Sequence, residues 1–193
     1  MLYSFLTSLV ENYSFLNVFK YITVRIALSV VTSFIIVFLI GEPLIKIFKR
    51  KQITGPIRQD GPIDHIIKKS GTPTMGGLII ILGIFLGTIL WADLKNIYIL
   101  TLIFISLSLG LLGFIDDLLK IKLKNSRGLN SKLKFLGQIF IALLAIFILS
   151  WYSDHQYLNN LYFPFFKNLV LPMGIFFIPF TLLVIVGSSN AVN

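Results

Sequence analysis

Two adjacent carboxylates, Asp116 and Asp117, close an apolar run at Gly113-Phe114-Ile115-Asp116-Asp117. Paired acids facing a phosphate-rich aqueous side are what a hard cation such as Mg2+ requires. A second group is the string Lys69-Ser70-Gly71-Thr72-Pro73-Thr74-Met75-Gly76-Gly77. With Thr72 as N-cap and Pro73 at the first helical position, it predicts a helix N-terminus whose unpaired N–H groups favour an anion. Lys69 adds a point charge there. Lys132 and Lys134 open a later apolar run, where a cation at a helix start is unfavourable unless something anionic lies near. Asn190 and Asn193, three apart, share a face if they are helical. Acids for Mg2+, with lysines and a helix N-terminus for phosphate, point to phosphoryl chemistry on a lipid substrate. Each group also has a plainer reading. Asp116 pairs with Lys120 at the i,i+4 spacing, and the glycines, with Gly83 and Gly87 as a GxxxG pair, pack against a neighbouring helix. Lys132 and Lys134 snorkel in a basic loop, and the asparagines act as caps. His65 and His155 stand alone and read as structural or solvated.

These groups must be positioned by membrane helices. The chain has 193 residues, 56% hydrophobic and only 13% charged, whereas a soluble domain is about half apolar and about a quarter charged. The apolar residues come in long blocks, which predicts an all-α fold. We expect a polytopic integral membrane helix bundle, one transmembrane domain with about five transmembrane helices, at roughly 18–40, 73–91, 97–115, 133–151 and 171–186. Residues 1–10 are apolar but too short to span and read as interfacial or re-entrant. Asn17 is placed to cap the first span, Gly41-Glu42-Pro43 to interrupt it, and the basic stretch through Lys51 to leave along the membrane surface. The third span is expected to stop at Asp116-Asp117, at the negative end of its dipole. Residues 152–167 read as an aromatic interfacial belt, and Pro179 predicts a kink in the last span.

The net charge is +9, yet the basic residues sit between apolar blocks, so they read as topology signals and not as a nucleic-acid surface. Lys46, Lys49, Arg50, Lys51, Arg58, Lys68 and Lys69 follow the first span, and Lys120, Lys122, Lys124, Arg127, Lys132 and Lys134 follow the third. The opposite loops hold Lys95 and Lys167 only. The positive-inside rule therefore puts the N-terminus outside, with both basic loops, Asp116-Asp117 and the C-terminus on the cytoplasmic side. The chain has no Cys, which excludes disulfides and thiolate chemistry. A small transporter would place polar groups near the bilayer midplane, whereas the centres of these spans are apolar.

Arg58-Gln59-Asp60-Gly61-Pro62, His65, the 69–77 string, Gly113-Phe114-Ile115-Asp116-Asp117 and Asn190-Ala191-Val192-Asn193 together resemble, in order and spacing, the phospho-N-acetylmuramoyl-pentapeptide transferase family. The Gly-Thr-Pro-Thr-Met-Gly-Gly string favours it over the sister polyprenyl-phosphate N-acetylhexosamine-1-phosphate transferases. The resemblance implies transfer of phospho-N-acetylmuramoyl-pentapeptide from UDP to undecaprenyl phosphate, releasing UMP, with Mg2+ as cofactor, in the inner membrane of a bacterial cell. It implies UDP-N-acetylmuramoyl-pentapeptide, undecaprenyl phosphate and membrane lipids as partners, and it allows a homodimer. Asp116 and Asp117 match the family's paired acids, which the resemblance assigns to catalysis and to the metal, with Asp116 the first candidate for base. Lys134 matches a lysine near the active centre, and Lys69 and Thr74 match positions near the donor and its phosphates. Asn190 and Asn193 match the start of a nucleotide-sugar motif. In the family that motif is followed by further acids, a metal-binding Asp and a His cluster. The expectation is therefore that the chain corresponds to the family's N-terminal half and is inactive alone, a non-catalytic membrane fragment being the alternative.

Overall fold

The longest helix starts where the chain becomes continuously apolar and ends in a basic cluster. The computed structural model describes residues 2–51, 53, 75–123, 128–152, 159–163 and 165–191. In chain order it shows α1 (Leu2–Ser8), a 3-10 helix (Ser14–Lys20), α2 (Ile22–Arg50), α3 (Gly76–Trp91) and α4 (Ile97–Leu123). These are followed by α5 (Ser131–Tyr152), strands β1 (Asn160–Phe163) and β2 (Phe166–Pro172), a 3-10 turn (Gly174–Phe176) and α6 (Phe177–Ala191). Four helical segments, Ile22–Arg50, Ile97–Leu123, Ser131–Tyr152 and Gly174–Ala191, are long and apolar enough to cross a membrane. Gly76–Trp91 is apolar but has 16 residues, about 24 Å of helix against a hydrocarbon core of about 30 Å. The fold is that of an all-α polytopic membrane protein. The described residues group into two units, Met1–Lys95 with Gly110–Asn130, and Asn96–Leu109 with Ser131–Asn193.

In the first unit, α2 departs from expectation twice. Asn17 does not cap it. It lies within the 3-10 helix, and Tyr21, in extended conformation, is the N-cap with no side-chain bond. The expected break at Gly41-Glu42-Pro43 is also absent, and the helix runs through Pro43. Proline removes one ladder bond, and a helix of 29 residues keeps the bonds on either side. The Glu42–Lys46 ion pair, 2.6 Å, bridges the site at i,i+4, although so exposed a pair adds only about 0.3–0.5 kcal/mol. Near the start of α2 the Arg25 guanidinium lies 4.2 Å from the centroid of the Tyr3 ring.

Helix α3 packs on α2 through its glycines. A Cβ at Gly83 would lie 2.5 Å from Val37 Cγ2 and 3.2 Å from the Ser33 carbonyl. One at Gly87 would collide with Ser33 Oγ and lie 2.9 Å from the Ser29 carbonyl. The GxxxG reading is therefore correct for this pair, since the missing side chains let the backbones approach. Trp91 closes the contact, donating from Nε1 to Thr32 Oγ1 at 2.9 Å and stacking on Phe19 at 5.9 Å. The start of α3 differs from expectation. It begins at Gly76 with Met75 as N-cap in the left-handed region, φ 70°, so its first turn contains no proline. Thr72 and Pro73 lie outside the described residues.

In the second unit, α5 and α6 pack together, and α5 buries Gln138, Ile141, Ala142 and Ala145. Part of the aromatic belt folds as a β-hairpin. Asn160 pairs with Pro172, Leu161 with Leu171 and Tyr162 with Val170, and the register shifts between Tyr162 and Phe163. The hairpin delays the last helix, so Pro179 falls in the first turn of α6. There a proline N–H would have had no intrahelical partner anyway, which removes the reason to expect a kink.

Candidate active site

Helix α4 does not stop at the paired acids. It continues to Leu123, about two turns beyond Asp116. Leu118, Leu119, Ile121 and Leu123 prolong the apolar pattern, and Lys120 and Lys122 in the last turn suit the negative end of the dipole. Asp116 and Asp117 are thus helical residues with their own backbone bonds made, not end groups.

Their side chains form a compact ionic cluster. Asp116 is 7% exposed. Its Oδ2 accepts from Lys120 Nζ at 2.6 Å, and its Oδ1 accepts from the Leu129 backbone N–H at 2.8 Å. Asp117 Oδ1 accepts from the same ammonium at 3.3 Å. The plain reading of an i,i+4 pair is therefore realised, but inside a larger arrangement. The loop after α4 returns to Asp116 through Gly128, whose φ of +57° lies in the left-handed region. A Cβ there would collide with Asp116 Oδ1 and lie 2.7 Å from Lys120 Cε. Glycine is needed for both reasons, conformation and space. The result is one bridging cation shared by two carboxylates, with Asp116 anchored by two charge-assisted bonds and Asp117 more accessible, its side chain 33% exposed. Two acids against one lysine leave a net negative charge. Hard oxygen donors with a negative balance suit a divalent cation completed by phosphate and water. Among the described residues no group of three or more His, Cys, Asp or Glu gathers.

In the second unit, Lys134 and Gln138 are one turn apart on α5 and share a face. Gln138, 2% exposed, joins Asn190 of α6 in a reciprocal amide pair. Asn190 Nδ2 donates to Gln138 Oε1 at 2.8 Å, and Gln138 Nε2 donates to Asn190 Oδ1 at 3.4 Å. Asn190 Nδ2 also donates to the Val186 carbonyl at 2.8 Å. A carbonyl can only accept, so this contact fixes which way the Asn190 amide faces, and hence that of Gln138.

Of the site residues expected from sequence, Asp116 and Asp117 meet, and Lys134 and Asn190 lie on adjoining helices of the second unit. Lys69, Thr74 and Asn193 lie outside the described residues, as do His65 and His155. Sequence reasoning missed Gln138 as a partner of Asn190 and the Gly128-Leu129 latch on Asp116. A signal existed for the first, because an amide inside an apolar span seeks a partner on a facing helix. The latch had only a glycine beyond a basic helix end.

Comparison with known proteins adds independent findings. Residues 99–193 match glycosyl transferase family 4, and residues 69–81 match signature 1 of the phospho-N-acetylmuramoyl-pentapeptide-transferases. The chain is 56% identical over 193 residues to the phospho-N-acetylmuramoyl-pentapeptide-transferase of Pelagibacter ubique (strain HTCC1062), covering all of this chain and 54% of that protein. It is 46% identical over 193 residues to the protein of that name from Thermodesulfovibrio yellowstonii, covering 53% of it. It is 43% identical over 194 residues to that of Orientia tsutsugamushi (strain Ikeda), again covering 53%. The chain spans about half the length of the curated relatives it matches.

Proposed function

We propose that this chain belongs to glycosyl transferase family 4 and within it to the phospho-N-acetylmuramoyl-pentapeptide-transferases, as its matches to both suggest, and that its chemistry is phospho-sugar transfer at a bacterial inner membrane. The donor is UDP-N-acetylmuramoyl-pentapeptide, the acceptor undecaprenyl phosphate, and the leaving group UMP. The observation that carries this reading is the cluster of Asp116, Asp117 and Lys120 near the end of a membrane-length helix, latched by Leu129 N–H. With the N-terminus outside, that end of α4 faces the cytoplasm, where nucleotide donors are found.

The acceptor phosphate needs little help to become a nucleophile, because its second proton leaves near pKa ~6. Positioning and charge neutralisation therefore contribute more to the rate than base catalysis does. Asp116 serves as the anchored member, both of its oxygens being engaged. Asp117, the more accessible, faces the reacting phosphates. Lys120 holds the two carboxylates together and supplies a cation within reach of a phosphate oxygen. Mg2+, held by Asp117 with Asp116 behind it, would neutralise the pyrophosphate of the donor. By resemblance, Lys69 and Thr74 are assigned to the donor phosphates, Lys134 to the reacting phosphate, and Asn190, set by Gln138, to the nucleotide sugar with Asn193.

The test is UMP release in detergent or vesicles with undecaprenyl phosphate and Mg2+. It is run on residues 1–193 and on a chimera completed by the remaining portion of the Pelagibacter relative. The chimera is expected to release UMP from the muramoyl-pentapeptide donor and not from UDP-N-acetylglucosamine, and the 1–193 chain alone to be inactive. Turnover of UDP-N-acetylglucosamine alone would assign the chain to the sister reaction. A folded chimera inert with both donors would overturn the reading.

A further inference from the structure

The hairpin between α5 and α6 has apolar side chains on both faces. Successive residues of a strand point to opposite faces, and Leu169, Val170 and Leu171 are consecutive and all exposed. Phe165 at the turn is 91% exposed, and Ile175 and Phe176, just beyond β2, are 80% and 70% exposed. A hairpin standing in water keeps at least one polar face, and a two-stranded hairpin without a covering layer is marginal there. The surroundings are set by chain continuity. The 18-residue membrane-length segment begins at Gly174, two residues after β2 ends at Pro172. The turn at Phe165 lies seven residues from Pro172, an arm of about 23 Å at strand rise. It either projects into water or lies along the membrane surface.

We propose that this hairpin, with the turn into α6, is a wedge seated in the lipid bilayer with its apolar side chains just below the headgroups, at the headgroup–acyl boundary. Three observations favour lipid over a protein partner. A single protein surface covers one face of a hairpin, whereas a bilayer boundary wets both. The only charged residue between Asn159 and Phe176 is Lys167, so the segment carries one positive charge and no acid, which suits phosphate headgroups. Tyr162 belongs to the class that collects at membrane interfaces, and Phe163, Phe165 and Phe166 beside it are apolar rings of the kind that interfacial segments bury at the headgroup–acyl boundary. Pairing of the hairpin edge with a second copy is also discouraged, because the register shift at Tyr162/Phe163 and Pro172 at the strand end interrupt the edge.

The test uses residues 1–193 in phosphatidylglycerol-containing vesicles. The chain has no Cys, so Phe165→Cys, Leu169→Cys and Val170→Cys each give one labelling site for a nitroxide. All three positions are exposed, so labelling removes no core contact, and Lys95→Cys, in an exposed turn, serves as the water-facing control. Relaxation by oxygen is expected to exceed relaxation by a water-soluble nickel complex several-fold at 165, 169 and 170, with the reverse at 95. Nickel dominating at 165, 169 and 170 would overturn the proposal in favour of a solvated hairpin. Shielding from both reagents there would overturn it in favour of a protein cover. Spin–spin broadening that disappears on dilution with unlabelled chain would identify that cover as a second copy.

Discussion

Replacing Gly128 by alanine tests whether the loop after α4 acts through Asp116. Two effects combine. The φ of +57° is unfavourable for an L-residue by about 1–2 kcal/mol. The new Cβ would also collide with Asp116 Oδ1 and press on Lys120, so the loop must move away and break the 2.8 Å bond from Leu129 N–H. A hydrogen bond to a charged group contributes about 1.5–3 kcal/mol. The sum is a destabilisation of roughly 2.5–5 kcal/mol, of which only the second part depends on Asp116. A double-mutant cycle with Asp116→Asn, read by denaturant unfolding in mild detergent, separates the two. Asparagine weakens the bond to Leu129, so the cost of Gly128→Ala should fall by about 1 kcal/mol or more on that background. Additivity within about 0.5 kcal/mol would refute the latch and leave Gly128 as a residue chosen for backbone conformation alone. Gly76, where a Cβ would meet nothing within 4 Å, is the control, and Gly76→Ala should be neutral or slightly stabilising.

Three further outcomes are expected. Gln138→Leu should destabilise α5–α6 packing by about 1–3 kcal/mol by stranding the Asn190 amide, and adding Asn190→Leu should recover most of the stability, measured by thermal unfolding. Gly87→Leu should separate α3 from α2 at a cost of about 1–3 kcal/mol or more, seen as loss of Trp91 emission characteristic of its contact with Phe19 and Thr32, whereas Gly113→Leu, with open space around its Cβ, should not. In the active chimera, Asp117→Asn should lower UMP release by about 10²-fold or more, the scale of removing a transition-state electrostatic group, with little change in unfolding temperature. Undiminished turnover would remove Asp117 from the metal and phosphate site.

The sequence by itself determined the membrane class and the presence of long apolar helices, and it singled out the adjacent acids Asp116 and Asp117. Long apolar blocks have few solutions in a bilayer, and two acids beside one are conspicuous against them. It also determined the GxxxG contact, because small residues four apart on an apolar helix have one common use. Other features were decided by tertiary structure. Pro43 leaves α2 unbroken because a long membrane helix outlasts one missing bond. Asp116-Asp117 sit inside α4 because the lysines beyond them favour a longer helix. The strand pairing of the aromatic belt depends on partners several residues apart. The Leu129 latch and the Gln138–Asn190 pair join residues 13 and 52 positions apart. Hydrogen bonds over such separations are set by how helices and loops return on one another, which local periodicity does not encode.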